Sequence, residues 1–195
     1  MISGLIRRTY KYLDIQTFKK LYVALVRPHV EYAQAVWSPH YMKDIEQVEN
    51  VQRRATRQIP GLKELTYDQR LKKLKLPSLR YRRARGDMIE AYKILDNKNL
   101  YDPRVVGTSN KSERVHDKQL YPKEAKKALR RSNFVYRITE PWNGLHKHVV
   151  NAPSLNSFKN RLDIYWSKQS MLYDWEAQYD PKENHTPKNW KKIYK

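Results

Sequence analysis

The chain has 195 residues and no cysteine, and its 40 Lys and Arg against 20 Asp and Glu give a formal net charge of +20. The absence of cysteine excludes disulfides and Cys-based zinc knuckles, and no apolar run approaches the roughly 20 residues that span a bilayer. The charge exceeds the value of about 2–8 that keeps a small domain soluble, so a polyanionic partner is its simplest explanation.

Glycine is scarce, with 5 residues, and the apolar side chains recur at helical spacing, which predicts a mainly α-helical protein. Asp14 is a candidate N-cap for a first helix. Pro28 is expected to interrupt that helix and to occupy the first turn of a second, which runs to about Trp37. Pro39 then ends the second helix.

A third helix is predicted from Asp44 to about Gln58. Its buried face is expected to carry a stripe of five apolar residues, Ile45, Val48, Val51, Ala55 and Ile59. This stripe would place Arg53, Arg54 and Arg57 on the opposite face of the helix, where they would contribute little to packing.

Capping signals predict the remaining helices. Thr66, with Gln69 three residues later, matches a capping box for a short helix, and a long helix follows to about Leu95. A helical pattern returns at Phe134–Glu140. Ser154 is a candidate N-cap for a last helix with an apolar stripe that includes Phe158, Leu162 and Trp166.

Four segments follow from this pattern. Residues 1–96 are predicted to form a helical bundle with a basic face, and residues 97–132 to form a flexible basic connector because helical periodicity fails there. Residues 133–166 are predicted to form a C-terminal helical module, and residues 167–195 a polar and aromatic tail.

Half of the net charge is concentrated between Arg53 and Arg85, where 12 basic residues stand against two acidic ones, Glu64 and Asp68. Basic side chains on the outer faces of successive helices can follow a phosphate backbone, and each neutralised phosphate releases counterions. We therefore predict a nucleic-acid-binding face formed by Arg53, Arg54, Arg57, Lys72, Lys73, Arg80, Arg82, Arg83 and Arg85. A solvated surface without a ligand is the alternative for the same residues.

No catalytic constellation can be recognised in the sequence. No two aspartates are adjacent, so the two-metal site of a polymerase has no paired carboxylates, and no Gly-rich phosphate loop is followed by Lys. The closest histidine pair, His146 and His148, is better explained as a polar turn than as a metal site. We predict that this chain is not an enzyme, and that it uses no metal, cofactor or small-molecule substrate.

Several blocks of the sequence are distinctive when they occur together: Leu25–Tyr32, Val36–Pro39, Ile45–Leu62, Tyr81–Ile89, Tyr92–Leu95, Trp142–Leu145, Val149–Lys159 and Arg161–Asp163. These blocks resemble the region after the polymerase palm in metazoan non-LTR retrotransposon reverse transcriptases (LINE-type, jockey-like). The resemblance implies that residues 1–96 are thumb-like and that the region grips template–primer duplex within an RNA-directed DNA polymerase. The family's endonuclease and its polymerase carboxylates have no counterpart in this chain.

We therefore expect a fragment that binds the backbone of RNA or RNA–DNA duplexes inside the cell, in the nucleus, with other proteins of the element as further candidate partners. The main alternative is a decayed or domesticated remnant that acts as a protein-interaction module or has no function. A basic peripheral membrane protein is a third interpretation, but it needs exposed bulky apolar residues on an amphipathic helix. The apolar stripes of this sequence are typical of core stripes instead.

Overall fold

The computed structural model describes residues 14–96 and 133–187, together with Gly4, Arg8, Thr9, His116, 118–122, Lys127 and Arg130. This part of the chain is mainly helical and contains no strand, which confirms the predicted mainly α fold class. The chain divides into two units. The first comprises Met1–Arg83 and Met171–Ala177, and the second comprises Ala84–Ser170 and Gln178–Lys195.

The first unit contains helices α1 (Ile15–Leu21), α2 (Arg27–Glu31), α3 (Gln34–Trp37), α4 (Met42–Thr56) and α5 (Tyr67–Leu74), with a π-helix at Tyr22–Val26. Helix α6 (Leu79–Asp96) begins in this unit and continues in the second. The second unit also contains α7 (Phe134–Asn143), α8 (Lys147–Val150) and α9 (Leu155–Tyr165). Short 3-10 helices cover Ser170–Leu172 and Pro181–Glu183.

The chain passes Pro28 without leaving a helical conformation. Asp14 caps α1 as predicted, because its carboxylate accepts a hydrogen bond from the Thr17 amide at 2.9 Å. The predicted interruption at Pro28 is wrong, since α1 runs through the π-helix directly into α2. Pro28 has no amide proton to donate, and the wider π turn accommodates that loss. The real break comes at Ala33, whose φ of 49° separates α2 from α3.

Helix α4 buries polar side chains that its apolar stripe does not predict. Ile45 and Ala55 are buried as predicted, but Glu49 and Gln52 are buried between them. The Gln52 Oε1 atom accepts a hydrogen bond from the Tyr22 hydroxyl at 2.6 Å. A buried polar group costs little free energy only when it is paired in this way.

Glu49 caps the N-terminus of helix α6. Its two carboxylate oxygens accept hydrogen bonds from the amides of Leu79 at 3.0 Å and Arg80 at 3.2 Å. Burial raises the pKa of the Glu49 carboxyl, while these hydrogen bonds and one from the Tyr67 hydroxyl favour its charged form. An acidic group at a helix N-terminus is also stabilised by the helix dipole. Glu49 thus connects α4 to the start of α6.

Helix α5 begins at the predicted capping box. The backbone amide of Gln69 donates to Thr66 Oγ1 at 3.4 Å, and the backbone amide of Thr66 donates to Gln69 Oε1 at 3.0 Å. Helix α5 ends at Lys75, which adopts the left-handed conformation with a φ of 50°. Tyr67, Arg70, Leu71 and Leu74 are the buried side chains of this helix.

The apolar core of the first unit joins α1, α4 and α5. Phe18 and Tyr22 stack with ring centroids 5.7 Å apart, and they share one cluster of buried residues with Leu71 and Leu74. Trp175 belongs to the same cluster although it lies about 100 residues beyond Leu74 in the sequence.

The expected polar tail at 167–195 does not hold for 171–177, which form part of the first unit. Met171 is buried, and its carbonyl accepts a hydrogen bond from the Ser78 hydroxyl at 2.7 Å. Burial of the apolar side chains of Met171 and Trp175 favours this arrangement. The helices that cover them are distant in sequence, so the composition of the segment alone does not predict the burial.

Aromatic side chains dominate the core of the second unit. Trp142, Phe158 and Trp166 are fully buried. Tyr92 stacks on Phe158 with centroids 4.4 Å apart, and its hydroxyl donates to the Ala152 carbonyl at 2.7 Å. The long helix α6 is thereby held against the segment that precedes α9.

Helices α7 and α9 match their predicted starts. Ser154 caps α9 by accepting a hydrogen bond from the Ser157 amide at 3.2 Å. Helix α7 begins at Phe134 as predicted but continues past Glu140 to Asn143, with Pro141 inside it.

Most of the predicted connector at 97–132 lies outside the described residues. Of its described part, His116 and Leu120 are buried in the second unit. His116 Nε2 donates to the Trp142 carbonyl at 3.0 Å, and the Leu120 amide donates to Asn143 Oδ1 at 2.8 Å. None of the described helices combines the length and the apolar character that crossing a bilayer requires.

Candidate nucleic-acid interface

A pocket with a volume of about 520 Å³ lies between the end of α4 and the start of α5 in the first unit. We call it the basic pocket. Its lining is formed by Asn50, Arg53, Arg54, Arg57, Lys63, Leu65, Thr66, Tyr67 and Arg70. Five of these side chains are cationic and none is acidic, so the basic pocket is suited to an anion.

Arg53 is held in place by the protein itself. Its guanidinium lies over the rings of Tyr67 and Trp175, 5.3 Å and 5.0 Å from the centroids. Its Nη1 atom donates to Asn50 Oδ1 at 3.0 Å and pairs with Glu46 at 3.3 Å. The expectation that Arg53 contributes little to packing is wrong, because the helix turns this residue toward two aromatic rings instead of away from them.

Tyr67 is anchored where it supports these cations. Its hydroxyl donates to Glu49 at 2.6 Å and accepts a hydrogen bond from Gln52 Nε2 at 3.1 Å. Burial and the neighbouring Glu49 carboxylate both raise the pKa of the Tyr67 phenol, which stays neutral. The guanidiniums of Arg53 and Arg70 both face this ring, so one fixed aromatic side chain positions two cations.

Arg54, Arg57 and Lys63 are exposed at the rim of the basic pocket. None of the three forms an ion pair with any residue that the structure describes. Their charges remain available to a ligand, as the sequence predicts for Arg54 and Arg57.

Arg70 is the buried cation of the basic pocket. The residue is only 4% exposed, and its Nε atom makes no hydrogen bond with any described group. Its guanidinium lies 5.7 Å from the Tyr67 ring centroid. Burial lowers the pKa of Arg70, and the positive charges of Arg57 and Arg53 lower it further. Tyr67 acts in the opposite direction, and the charge of a bound anion would also stabilise the Arg70 cation.

The second half of the basic run is occupied within the protein. Arg82 donates from Nε and Nη2 to both carboxylate oxygens of Glu31, at 2.6 Å and 2.8 Å. Arg85 makes the same two-pronged pair with Asp163, at 2.5 Å and 2.7 Å. The run therefore does find compensating acids, which lie 51 and 78 residues away in sequence.

Arg80 and Arg83 are not on an open face either. Arg80 Nη1 donates to the carbonyls of Trp175 at 3.2 Å and Glu176 at 2.9 Å, and burial lowers its pKa. Arg83 is only 5% exposed. Arg80 thereby connects the start of α6 to the segment around Trp175, and Arg83 is buried within the same unit.

Lys72 and Lys73 are exposed on α5, as predicted, but they do not line the basic pocket. The structure therefore brings together only Arg53, Arg54 and Arg57 of the nine predicted site residues. It adds Lys63 and Arg70, which the prediction omitted. Lys63 lies in the basic run and could have been included, whereas Arg70 flanks the apolar Leu71 and gives no local signal of its burial.

His146 and His148 form a polar turn at the start of α8. His146 Nδ1 accepts a hydrogen bond from the His148 amide at 3.2 Å and lies 2.7 Å from His148 Nδ1. Among the residues that the structure describes, no group of three or more His, Cys, Asp or Glu side chains could hold a metal ion. The histidine pair is accounted for by its own hydrogen bonds.

Comparisons with protein-family models, with curated proteins and with solved structures found no significant match to this chain.

Proposed function

We propose that the chain binds RNA–DNA or RNA duplexes through their backbone phosphates, with the basic pocket as its principal contact. The observation that carries this proposal is the convergence of Arg54, Arg57, Lys63 and Arg70 on one pocket without an acidic residue in its lining. The net charge of +20 supports the same conclusion. Lys72 and Lys73 on α5 would extend the contact along the backbone.

Phosphate groups suit these residues because a guanidinium can donate two parallel hydrogen bonds to phosphate oxygens. Each phosphate that is neutralised releases condensed counterions, so affinity should fall steeply with salt. Phosphate contacts carry no direct information about the bases, and binding should be tolerant of sequence.

The resemblance to LINE-type reverse transcriptases suggests a role for this binding activity within a polymerase. In this proposal the chain corresponds to the thumb and the following region of such a polymerase, works in the nucleus, and grips template–primer duplex. It contributes binding and no chemistry, because the sequence has no paired aspartates to hold the metal ions of a polymerase.

The test is a titration of the chain with two unrelated RNA–DNA duplexes, followed by fluorescence anisotropy at several salt concentrations. We expect similar affinities for both sequences and a log–log salt slope of about −0.9 for each phosphate contact. A flat salt dependence, or strong preference for one sequence, would contradict the proposal.

One observation favours a second candidate, a protein-interaction module. Tyr32 is 80% and Val36 is 87% exposed, and Tyr41 is also exposed in the same N-terminal part of the first unit. Exposed bulky apolar residues in one short segment of the chain are typical of interaction surfaces. A module that associates with a second copy of itself would sediment as a dimer, and Val36→Ser would return it to a monomer. Dimer formation without duplex binding would favour this candidate over the first.

A further inference from the structure

We propose that the basic pocket is a site for the terminal phosphate of a nucleic-acid strand, a phosphate monoester, and not only for internal phosphodiesters. This inference rests on the proposed function and names the chemical group for which the pocket is built. Three features of the pocket support it: its concave shape, the number of its charges and its buried arginine.

The cations of the basic pocket converge instead of forming a track. Arg54 comes from the last turn of α4, Arg57 from the C-cap position that follows it, Lys63 from the following loop, and Arg70 from α5. An internal phosphodiester carries one negative charge and is flanked by a sugar on both sides. A terminal phosphate carries about −1.5 to −2 charges and presents three oxygens, which matches several converging donors.

The burial of Arg70 selects a ligand that can enter the pocket. Arg70 lines the basic pocket although the residue is only 4% exposed, so a partner must enter the pocket to contact its guanidinium. A chain end can enter a pocket of about 520 Å³, which is within the range of about 300–1,000 Å³ for small-molecule sites. A phosphate inside a continuous duplex can contact only the exposed rim.

The helix dipole does not explain the same cluster. Cations in the last turn of α4 are stabilised by the C-terminal end of that helix, by about 0.3–1 kcal/mol each. However, Arg53 and Arg57 are spaced i,i+4. Two like charges at this spacing destabilise a helix by about as much as two opposite charges stabilise it. Lys63 and Arg70 lie outside α4 altogether. The helix dipole therefore does not account for the convergence of Lys63 and Arg70 on the same pocket.

The experiment compares blunt RNA–DNA duplexes of one sequence that differ only in carrying a 5′-phosphate or a 5′-hydroxyl. We expect about tenfold tighter binding of the phosphorylated duplex, as for one or two added charge-assisted hydrogen bonds. The double variant Arg57→Gln with Lys63→Gln should bring this ratio close to one, since both side chains are exposed and folding should persist. Lys73→Gln is the matched control, because it removes a charge from α5 outside the pocket and should preserve the ratio.

The outcomes distinguish a failure of the terminal-phosphate site from a failure of the proposed duplex binding. Salt-dependent binding with equal affinity for both duplexes would overturn the terminal-phosphate site and leave the proposed function intact, whereas no binding to either duplex would refute both. A ratio that persists in the double variant would place the discrimination outside the basic pocket and overturn the assignment. A nucleoside 5′-monophosphate serves as competitor: weak competition supports a strand end, and competition as strong as that of the phosphorylated duplex identifies a free nucleotide instead.

Discussion

The guanidinium of Arg53 lies over the ring of Tyr67, 5.3 Å from its centroid, while the hydroxyl of that ring donates to the buried carboxylate of Glu49. The last turn of α4 is thereby tied to the hydrogen-bond network of the core. The relationship divides the three arginines of this turn into one that is structural and two that are available to a ligand.

Arg53→Gln should lower the free energy of unfolding by about 1–2 kcal/mol, because it removes cation–π contacts with Tyr67 and Trp175. Arg54→Gln should change it by less than about 0.5 kcal/mol, as for an exposed residue without structural contacts. Urea denaturation followed by circular dichroism measures both. Equal stability of the two variants would mean that the aromatic contacts of Arg53 have no energetic weight.

Glu49→Gln should destabilise the first unit by about 1.5–3 kcal/mol. The carboxylate accepts hydrogen bonds from Tyr67, Leu79 and Arg80 through two oxygens, and an amide replaces one acceptor by a donor. Thermal melts of this variant and of Glu46→Gln, which alters an exposed acid of the same helix, provide the comparison. A wild-type melt for Glu49→Gln would show that the cap on α6 is dispensable.

The stability of the second unit should decrease as the pH falls from about 7 toward 4. Burial lowers the pKa of His148 to about 4, and the charges of His146 and Arg161 add to the effect. Between the ordinary pKa near 6.5 and the lowered value, the unfolded chain takes up a proton that the folded chain does not. His148 therefore contributes a loss of stability in this window and no further loss below it.

Urea denaturation midpoints measured at pH 7, 5.5 and 4.5 test this dependence, and we expect them to decrease from the first pH to the last. His148→Gln should show a smaller loss of stability across the window than the wild type, and His40→Gln, at an exposed position, should match the wild type. An identical pH dependence in the His148 variant would assign the effect to other groups.

Phe158→Ala and Leu162→Ala should each destabilise the second unit by about 2–5 kcal/mol, since both side chains are fully buried on α9. Ile164→Ala, which alters an exposed apolar residue of the same helix, should cost much less. Differential scanning calorimetry would resolve the difference. Equal transitions for the three variants would contradict the packing of α9.

Local signals in the sequence predicted local structure well. The caps at Asp14, Thr66 and Ser154 each form the hydrogen bond that their residue type implies, because the partner lies only three residues away. The mainly α fold class follows from helical spacing of apolar residues, which is also a short-range property.

Long-range pairing could not be predicted in the same way. The run from Arg53 to Arg85 has almost no acid within it, yet Arg82 and Arg85 find Glu31 and Asp163 in the folded chain. Similarly, a hydrophobic stripe assigns polar residues to the surface, and nothing near Glu49 in sequence announces that it caps a helix 30 residues away. The burial of Arg70 is also a property of the folded chain, because its charge predicts an exposed side chain.

The double variant Arg54→Gln with Arg57→Gln gives the most direct test of phosphate binding. These side chains are exposed and form no ion pair with a described residue, so the variant should fold as the wild type does. If each contacts one phosphate, the log–log salt slope for duplex binding should flatten by nearly two units, at about 0.9 per contact. Lys168→Gln with Lys182→Gln removes the same charge from exposed sites of the second unit and serves as the control.

Salt titrations of the two double variants and the wild type against one RNA–DNA duplex complete the measurement, with circular dichroism to verify folding. We expect a flattened slope and weaker binding for the Arg54 and Arg57 variant, and a smaller change for the control. An unchanged slope in a folded Arg54 and Arg57 variant would contradict phosphate binding at the basic pocket, which would then be a solvated surface without a nucleic-acid ligand.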